Sequence, residues 1–333
     1  MKPEITVSIY CLAYNHEKYI RKTLDGFLNQ EANFEYEIIV HDDASTDGTA
    51  AIIQEYAKKH ANIIAIYQTE NQYSKKVNII KNFIEPHVRG KYVAMCEGDD
   101  FWTDPHKLQK QVTALEAHKK SLFCVHKVTE IFENGEETGR IYPSGDWETK
   151  EYSSNDFLRL YKEGNFPHLS SYMMDAKKWK DYIKNPPEFA TLSGVGDIPY
   201  ILYFAQLGCC FYINESMSCY RKGVPTGWCG TVQTNKTLAV QYSKGMLEVY
   251  LSYDIYTGYK YHDICSCFST NTLFFVAVLT YTPGALFQEG HMKSLSLIKK
   301  LYALFSLAFP HLAGDIYWKR HIRQMKKLGY HGQ

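Results

Sequence analysis

The sequence predicts an α/β fold, a mostly parallel sheet covered by helices and extended by a mixed second half, with a mainly helical C-terminal region after it. Three observations carry this. Short β-branched apolar runs alternate with segments of helical periodicity through the N-terminal third. Three of those runs end in polar or acidic turns, at Tyr14-Asn15, Asp42-Asp43 and Asp99-Asp100. Beyond Asn235 the pattern becomes mainly helical, with no internal repeat. Strands alternating with helices imply right-handed crossovers and a parallel sheet buried on both faces.

The elements follow in order. Ile5–Ala13 is β-branched and too short for an independent helix, so it is a buried first strand, closed by a turn at Tyr14-Asn15-His16. Ile20, Leu24, Phe27 and Leu28 mark one face of an amphipathic helix. Residues 37–40 form the next strand, ending in His41-Asp42-Asp43; residues 44–48 are turn-like and Thr49–Lys59 is helical. Ile63–Tyr67 and residues 92–96 are two more strands, with a helical segment expected at 77–84. After Glu97-Gly98-Asp99-Asp100-Phe101-Trp102 a helix is expected to open with Asp104 as N-cap and Pro105 at its first position. Residues 123–132 read as a longer strand, Asn134-Gly135 as a turn, and the polar stretch 136–151 as a loop. Helices near 155–161, 177–183 and 198–206 surround a strand at 169–174, and a further strand spans 210–220.

Apolar residues make up 45% of the 333 and charged residues 22%, which argues against disorder. The 27 tyrosines offer rings for stacking on a base or sugar, although half-buried packing accounts for most residues of this type. Glu4, Thr6 and Ser8 interrupt the N-terminal apolar run, so no secretion signal is expected. The longest apolar stretches, 273–279 and 301–309, fall short of the roughly 18–20 residues that span a bilayer. Nine cysteines without a CxxC pair indicate neither a disulfide framework nor a zinc site. A cytoplasmic protein, soluble or peripheral on the membrane, is the expectation.

Charge is unevenly placed. Residues 291–333 hold eight Lys or Arg against the single Asp315, a net +7, which leaves −6 on the rest of a chain whose total is +1. In this tail Leu297, Ile298, Leu301, Leu304, Phe305 and Phe309 fall mostly on one helical side. Such a helix suits an anionic membrane, packing on the body of the protein, or a homo-oligomer interface. Nucleic-acid binding is not expected, because the basic residues sit in an apolar helical tail and do not alternate with aromatics on a sheet.

Ligands of open parallel sheets bind beyond the carboxyl ends of the strands, where the strand order reverses. The Tyr14 ring can stack on a nucleobase, and Asp43 can accept a hydrogen bond from an imide N–H. Adjacent acids at Asp99 and Asp100 call for a counter-charge, which Mg²⁺ or Mn²⁺ bridging a diphosphate supplies. The plainer alternatives are that Asp42 or Asp43 caps the helix at Thr49, and that Asp99 and Asp100 are solvated turn residues.

Taken together, Val7-Ser8-Ile9 through Tyr14-Asn15, Asp42-Asp43-Ala44-Ser45-Thr46-Asp47-Gly48-Thr49 and Glu97-Gly98-Asp99-Asp100 resemble glycosyltransferase family 2. The resemblance covers roughly residues 5–225 and implies the GT-A fold. On that pattern residues 1–120 are a nucleotide-sugar-binding half, 121–234 an acceptor-binding half, and 235–333 a helical region with a basic amphipathic tail. The activity implied is inverting transfer from a nucleotide-sugar, expected to be a UDP-sugar. The implied acceptor is a glycan or lipid-linked saccharide of a bacterial surface polysaccharide.

Carried over by position, the resemblance gives Ala13, Tyr14, Asn15 and Asp43 to the nucleotide, with Asp42 supporting the turn, and Asp99 and Asp100 to the metal. Glu97 stands where many members have Asp, so its contact is with metal, ribose or sugar. Phe101-Trp102 resembles the segment that follows the acids in members building surface polysaccharides, which makes Trp102 an acceptor candidate. Gly196-Asp197-Ile198-Pro199 resembles the acidic motif that supplies the catalytic base, Asp197, although a cap on the helix beginning at Ile198 is the alternative. His168-Leu169-Ser170-Ser171 resembles an acceptor-pocket strand, and His168 fits a packed core position as well. Tyr220-Arg221-Lys222, with Trp228, reads as a lid that brings Arg221 to the phosphates.

Two rivals stay open. A nucleotidyltransferase also pairs such a sheet with metal-binding acids, but it needs a glycine-rich loop after the first strand, and residues 11–18 contain no glycine. A non-catalytic nucleotide-sugar-binding module is the other.

Overall fold

Nine residues from Ile5 to Ala13 form β1, buried along most of its length, and two parallel neighbours pair with it. In the computed structural model, residues 4–162, 166–192, 197–224, 227–288 and 290–330 are described, except for the side chains of Trp228 and Cys229. The chain divides into two compact units. The first joins Met1–Pro186 to Leu207–Lys222, and the second joins Pro187–Gln206 to Gly223–Gln333.

In the first unit β1 is followed by α1 (Ile20–Leu28), β2 (Glu35–Asp42), α2 (Thr49–Lys59), β3 (Ile63–Tyr67) and β4 (Tyr92–Met95). Then come β5 (Phe101–Trp102), α3 (Lys107–Ala117), β6 (Ser121–Phe132), β7 (Glu137–Tyr142), β8 (Lys150–Tyr152), α4 (Ser154–Lys162), β9 (Met173–Asp175), α5 (Ala176–Lys184) and β10 (Cys209–Lys222). The strands make one ten-stranded sheet in the order β3-β2-β1-β4-β9-β6-β10-β5, with β7 on β6 and β8 on β10. Strands β1 to β4 pair in parallel, and β9 joins β4 to β6 by antiparallel ladders. The chain winds from β1 outward through β2 to β3, then returns to the other side of β1 as β4. The order therefore reverses between β1 and β4, which puts the ends of these two strands at a switch point of the kind that binds ligands. The expected α/β class with a parallel first half and a mixed second half is what forms.

The core is continuous from this half into β6, β9 and β10, through Ile9, Phe27, Val40, Leu108, Cys124 and Met217 among others. Gly26 lets α1 approach β5: a Cβ there would meet the Trp102 carbonyl oxygen at 2.8 Å.

Several local expectations are corrected. Residues 136–151 are not a loop; they hold β7 and the start of β8. The helical segment expected at 77–84 does form, as a π turn at Ile80–Ile84 that runs into a 3-10 turn at Glu85–His87. Residues 169–174 begin as a 3-10 turn, Leu169–Ser171, because the His168 ring accepts the Ser170 N–H and holds the turn closed. Helix α3 starts at Lys107, since the Asp104 carboxylate accepts the His106 N–H at 2.7 Å and extends the turn before it.

The second unit is helical: α6 (Glu188–Thr191), α7 (Asp197–Leu207), α8 (Trp228–Thr234), α9 (Lys236–Tyr256), α10 (His262–Leu279), α11 (His291–Ser294), α12 (Leu297–Ala308) and α13 (Pro310–Lys327). Phe274, Ala277 and Val278 of α10 pack with Leu286, Leu295 and Ala303 in a core of their own. By length and composition α10 is also apolar enough to cross a membrane, and half of it is buried inside the protein. No single uninterrupted apolar run signals it, because Ser266, Ser269, Thr270 and Asn271 dilute the helix.

Candidate functional site

At the end of β1 the chain turns through Asn15, whose φ of 56° is left-handed, a conformation asparagine tolerates. Its N–H donates to Ser45 Oγ at 2.9 Å and its Oδ1 accepts the Thr46 N–H at 2.8 Å. The Ala13 carbonyl accepts the Asp43 N–H at 3.0 Å. The loops after β1 and β2 are thereby stitched together, with Tyr14 left 40% exposed above them.

The two aspartates after β2 do different work. Asp42 is buried; one carboxylate oxygen accepts the Ser45 N–H at 3.2 Å and the other has no hydrogen-bond partner. Asp43 accepts the N–H groups of Gln72 at 2.7 Å and Tyr73 at 3.0 Å, one on each oxygen. It thus fixes the loop after β3, and each oxygen keeps a lone pair for a further donor. Neither caps α2. That task falls to Asp47, whose Oδ1 accepts from Thr49 N at 3.0 Å and Thr49 Oγ1 at 2.5 Å.

The loop held by Asp43 adds residues that the sequence reading missed. Tyr67, at the end of β3, and Tyr73 are exposed. Burial raises the Tyr73 hydroxyl pKa, and the charge of Glu97 in the turn after β4 raises it further. Tyr67 is raised by burial and then by Asp42. A strand end and a polar stretch gave no pattern that singles out either ring.

After β4 the acids diverge. Glu97 is exposed and Asp99 partly so, while Asp100 is buried. Asp100 Oδ1 accepts the Arg221 N–H at 2.8 Å, and its Oδ2 lies 3.8 Å from His168 Nε2. Burial, and then the neighbouring Asp99, push the Asp100 carboxyl well above the usual carboxylate range. Asp99 Oδ2 lies 3.9 Å from His16 Nε2. Gly98 permits this crowding, because a Cβ there would meet His16 Nδ1 at 2.7 Å. Among the described residues no group of three or more His, Cys, Asp or Glu side chains is arranged to hold a metal ion. Glu97 and Asp99 are nonetheless hard oxygen donors open to one side. One or two such carboxylates are the usual protein share when substrate phosphates complete the shell of Mg²⁺ or Mn²⁺.

Arg221 does not sit on a lid. Tyr220, Arg221 and Lys222 are the last residues of β10, and the Arg221 guanidinium is buried. Its Nε donates to the Asp99 carbonyl at 3.0 Å and Nη1 to the Glu133 carbonyl at 3.2 Å, and the group lies over the rings of Tyr19 and Phe101. It stiffens the acidic turn from beneath. Residues 225 and 226 and the Trp228 side chain, the rest of the expected lid, lie outside the described residues. Next to Arg221, Lys222 forms a buried ion pair with Glu130 at 3.2 Å, and Glu130 also accepts from the hydroxyls of Thr138 and Tyr142 at 2.7 Å.

His168 stacks on Tyr220 with ring centroids 4.2 Å apart. Burial lowers its pKa to about 3, so the ring is neutral. With Nδ1 accepting from Ser170, the remaining proton sits on Nε2, facing Asp100. The acceptor assignment for Trp102 is corrected: it is 4% exposed, packs edge-on to Phe27 at 4.7 Å, and donates its indole N–H to the Ser170 carbonyl at 3.2 Å. A ring so enclosed presents no face to a saccharide. Trp102→Ala is expected to destabilise the fold by about 3–5 kcal/mol, read as a lower urea midpoint at unchanged slope.

Asp197 opens α7 in the second unit, half-buried, with Oδ1 accepting the Ile198 N–H at 2.9 Å. Burial raises its carboxyl pKa above the usual value. Gly196, the start of its motif, lies outside the described residues.

Residues 8–178 match the model of glycosyl transferase family 2. An uncharacterised protein of Mycobacterium tuberculosis is 42% identical over 137 residues, 41% of this chain and 39% of that protein. The putative glycosyltransferase EpsE of Bacillus subtilis is 33% identical over 138 residues, 41% of this chain and 48% of its own. The chain thus matches less than half the length of either relative. Among solved structures, residues 1–349 of S. aureus TarS in complex with UDP-GlcNAc share the fold with a TM-score of 0.58 at 15% identity, covering 98% of this chain and 93% of that one.

Proposed function

The chain belongs to glycosyl transferase family 2, and from that premise we propose that it transfers a sugar, with inversion, from a UDP-sugar to a saccharide hydroxyl. The acceptor in this reading is a glycan or lipid-linked saccharide of a bacterial surface polysaccharide. The observation that carries it is the set of groups around the switch point: exposed Tyr14 after β1, exposed Tyr67 at the end of β3 and Tyr73 beyond it, and after β4 the exposed Glu97 and partly exposed Asp99. Rings suited to a base and carboxylates suited to a metal–diphosphate thus lie at the ends of adjacent parallel strands.

The base rests on Tyr14, beside Ala13 and Asn15, while the second lone pairs of Asp43 are available to its imide N–H. Asp99, with Glu97, holds Mn²⁺ or Mg²⁺. Asp100 and Arg221 position that turn without touching the ligand. A bound divalent ion supplies positive charge to the departing diphosphate. His168, with its Nε2 proton toward Asp100, lines the acceptor side. Asp197 is the base that accepts the proton of the attacking hydroxyl. The names of two relatives support the surface-polysaccharide assignment: EpsE is a putative glycosyltransferase, and TuaG, also of B. subtilis, a putative teichuronic acid biosynthesis glycosyltransferase. Among the described residues eight cysteines are free thiols, which fits a cytoplasmic location.

Isothermal titration with UDP and with GDP, in Mn²⁺ and then in excess chelator, tests the donor half. UDP should bind more tightly than GDP and lose affinity on chelation. Tyr14→Ala should weaken UDP binding roughly tenfold, the worth of one base–aromatic stack. Equal affinity for both nucleotides, or no effect of Tyr14→Ala, rejects the assignment of the base site.

A further inference from the structure

Helix α12 shows its apolar side to solvent. Its inward face is Ala303 and Ser306, whose small side chains allow close packing against the rest of the second unit. Its outward face carries Leu297, Ile298, Leu301 and Leu304, with Ile298 76% and Leu301 60% exposed. Residues three and four apart share one side of a helix, so the leucines at 297, 301 and 304 form a single ridge. Helix α13 continues the exposed apolar surface through Leu312 and Ile316 while burying Ala313 and Gly314.

The same outward side of α13 then changes character. Lys319, Arg320, Arg323, Lys326 and Lys327 follow Ile316 and are all exposed. By helical spacing Lys319, Arg320 and Arg323 continue the line of Leu312 and Ile316. The single acid of this region, Asp315, accepts a hydrogen bond from the Tyr281 hydroxyl at 3.0 Å. An exposed apolar ridge thus runs into five cations, against which the helix sets one carboxylate, Asp315.

We propose that the outward faces of α12 and α13 dock this protein on an anionic lipid surface, leucines entering the acyl boundary and the α13 cations meeting headgroup phosphates. Contiguous exposed apolar residues such as Leu297, Ile298, Leu301 and Leu304 mark an interaction surface more often than scattered ones do. Charge selects the occupant. In a two-fold pair of identical chains the same patch meets itself, which would bring two net-cationic fields together. A bilayer rich in acidic lipid satisfies both halves of the face at once. This does not depend on which sugar or nucleotide the enzyme uses.

The test is flotation of the full chain with phosphatidylcholine vesicles, with and without phosphatidylglycerol, alongside light-scattering mass measurement in the absence of lipid. The wild type should bind the anionic vesicles about tenfold more tightly than the neutral ones and lose that preference in high salt. Leu301→Glu/Leu304→Glu should weaken anionic binding by about tenfold or more, and Arg320→Glu/Arg323→Glu should remove the preference for acidic lipid. All four positions are exposed, so the circular dichroism spectrum and Tm should not change. Failure of the wild type to bind anionic vesicles overturns the proposal whatever the variants do. Binding that both pairs leave unchanged also overturns it. So does a dimer that Leu301→Glu/Leu304→Glu dissociates while no vesicle binding is seen, which would assign the face to a second copy of the chain.

Discussion

Asp99→Asn should lower kcat/KM for sugar transfer about 10²–10³-fold and abolish the stimulation by Mn²⁺ while the protein stays folded. The substitution keeps shape and removes only the charge. Asp99 is the partly exposed carboxylate of the pair; among the described residues its oxygens accept no backbone N–H, and Oδ2 lies 3.9 Å from His16 Nε2. An amide is a poor ligand for a hard divalent ion, and the developing charge on the leaving diphosphate then goes uncompensated. Asp100→Asn is the control built into the same turn. An asparagine there can still accept the Arg221 N–H through Oδ1, the bond that Asp100 makes at 2.8 Å. Its effect on transfer should therefore be far smaller than that of Asp99→Asn. Steady-state kinetics over a Mn²⁺ titration separates the two, and the reverse ranking would transfer the metal role to Asp100.

The asymmetry of that pair was not legible in the chain. Asp99 and Asp100 are identical in sequence terms, and what distinguishes them is Arg221, 121 residues away, whose backbone N–H captures one of them. The parallel half of the sheet was legible, because buried strands such as β1 and β4 consist of apolar runs bounded by polar turns. Strand β7 was not. Glu137–Tyr142 is largely exposed, so it has no apolar alternation, and it is a strand only because β6 lies beside it to pair with. Trp102 misled for a related reason. An aromatic after a run of acids looks available for stacking on a sugar, yet Phe27, brought in by α1, encloses it. Tyr14 could be read from its place at a strand end, whereas Tyr73 needed the loop that Asp43 ties down. Where neighbours in sequence set the environment, as along β1 and β4, the pattern is legible; where a distant group sets it, as Arg221 does for Asp100 and Phe27 for Trp102, the pattern carries no information.

Asp197→Asn should reduce kcat about 10²–10⁴-fold and leave UDP binding unchanged, the signature of a lost general base. The asparagine keeps the oxygen that accepts the Ile198 N–H, so the start of α7 should survive and the Tm should hold. That separates a catalytic role from the capping role that the same position invites. A cap alone loses at most a few tenths of a kcal/mol when an aspartate becomes an equally good capping asparagine, and kcat would then stay near the wild-type value. The pH profile adds a second readout. Burial raises the Asp197 pKa, and the base must be ionised to accept a proton. Transfer should therefore fall as pH drops through a value above the ordinary carboxylate range, with full activity on the alkaline side of it. In Asp197→Asn the residual rate should lose that acid limb. A variant that keeps both the rate and the limb would leave Asp197 as the first residue of a helix and nothing more, and the base would have to be sought on another residue.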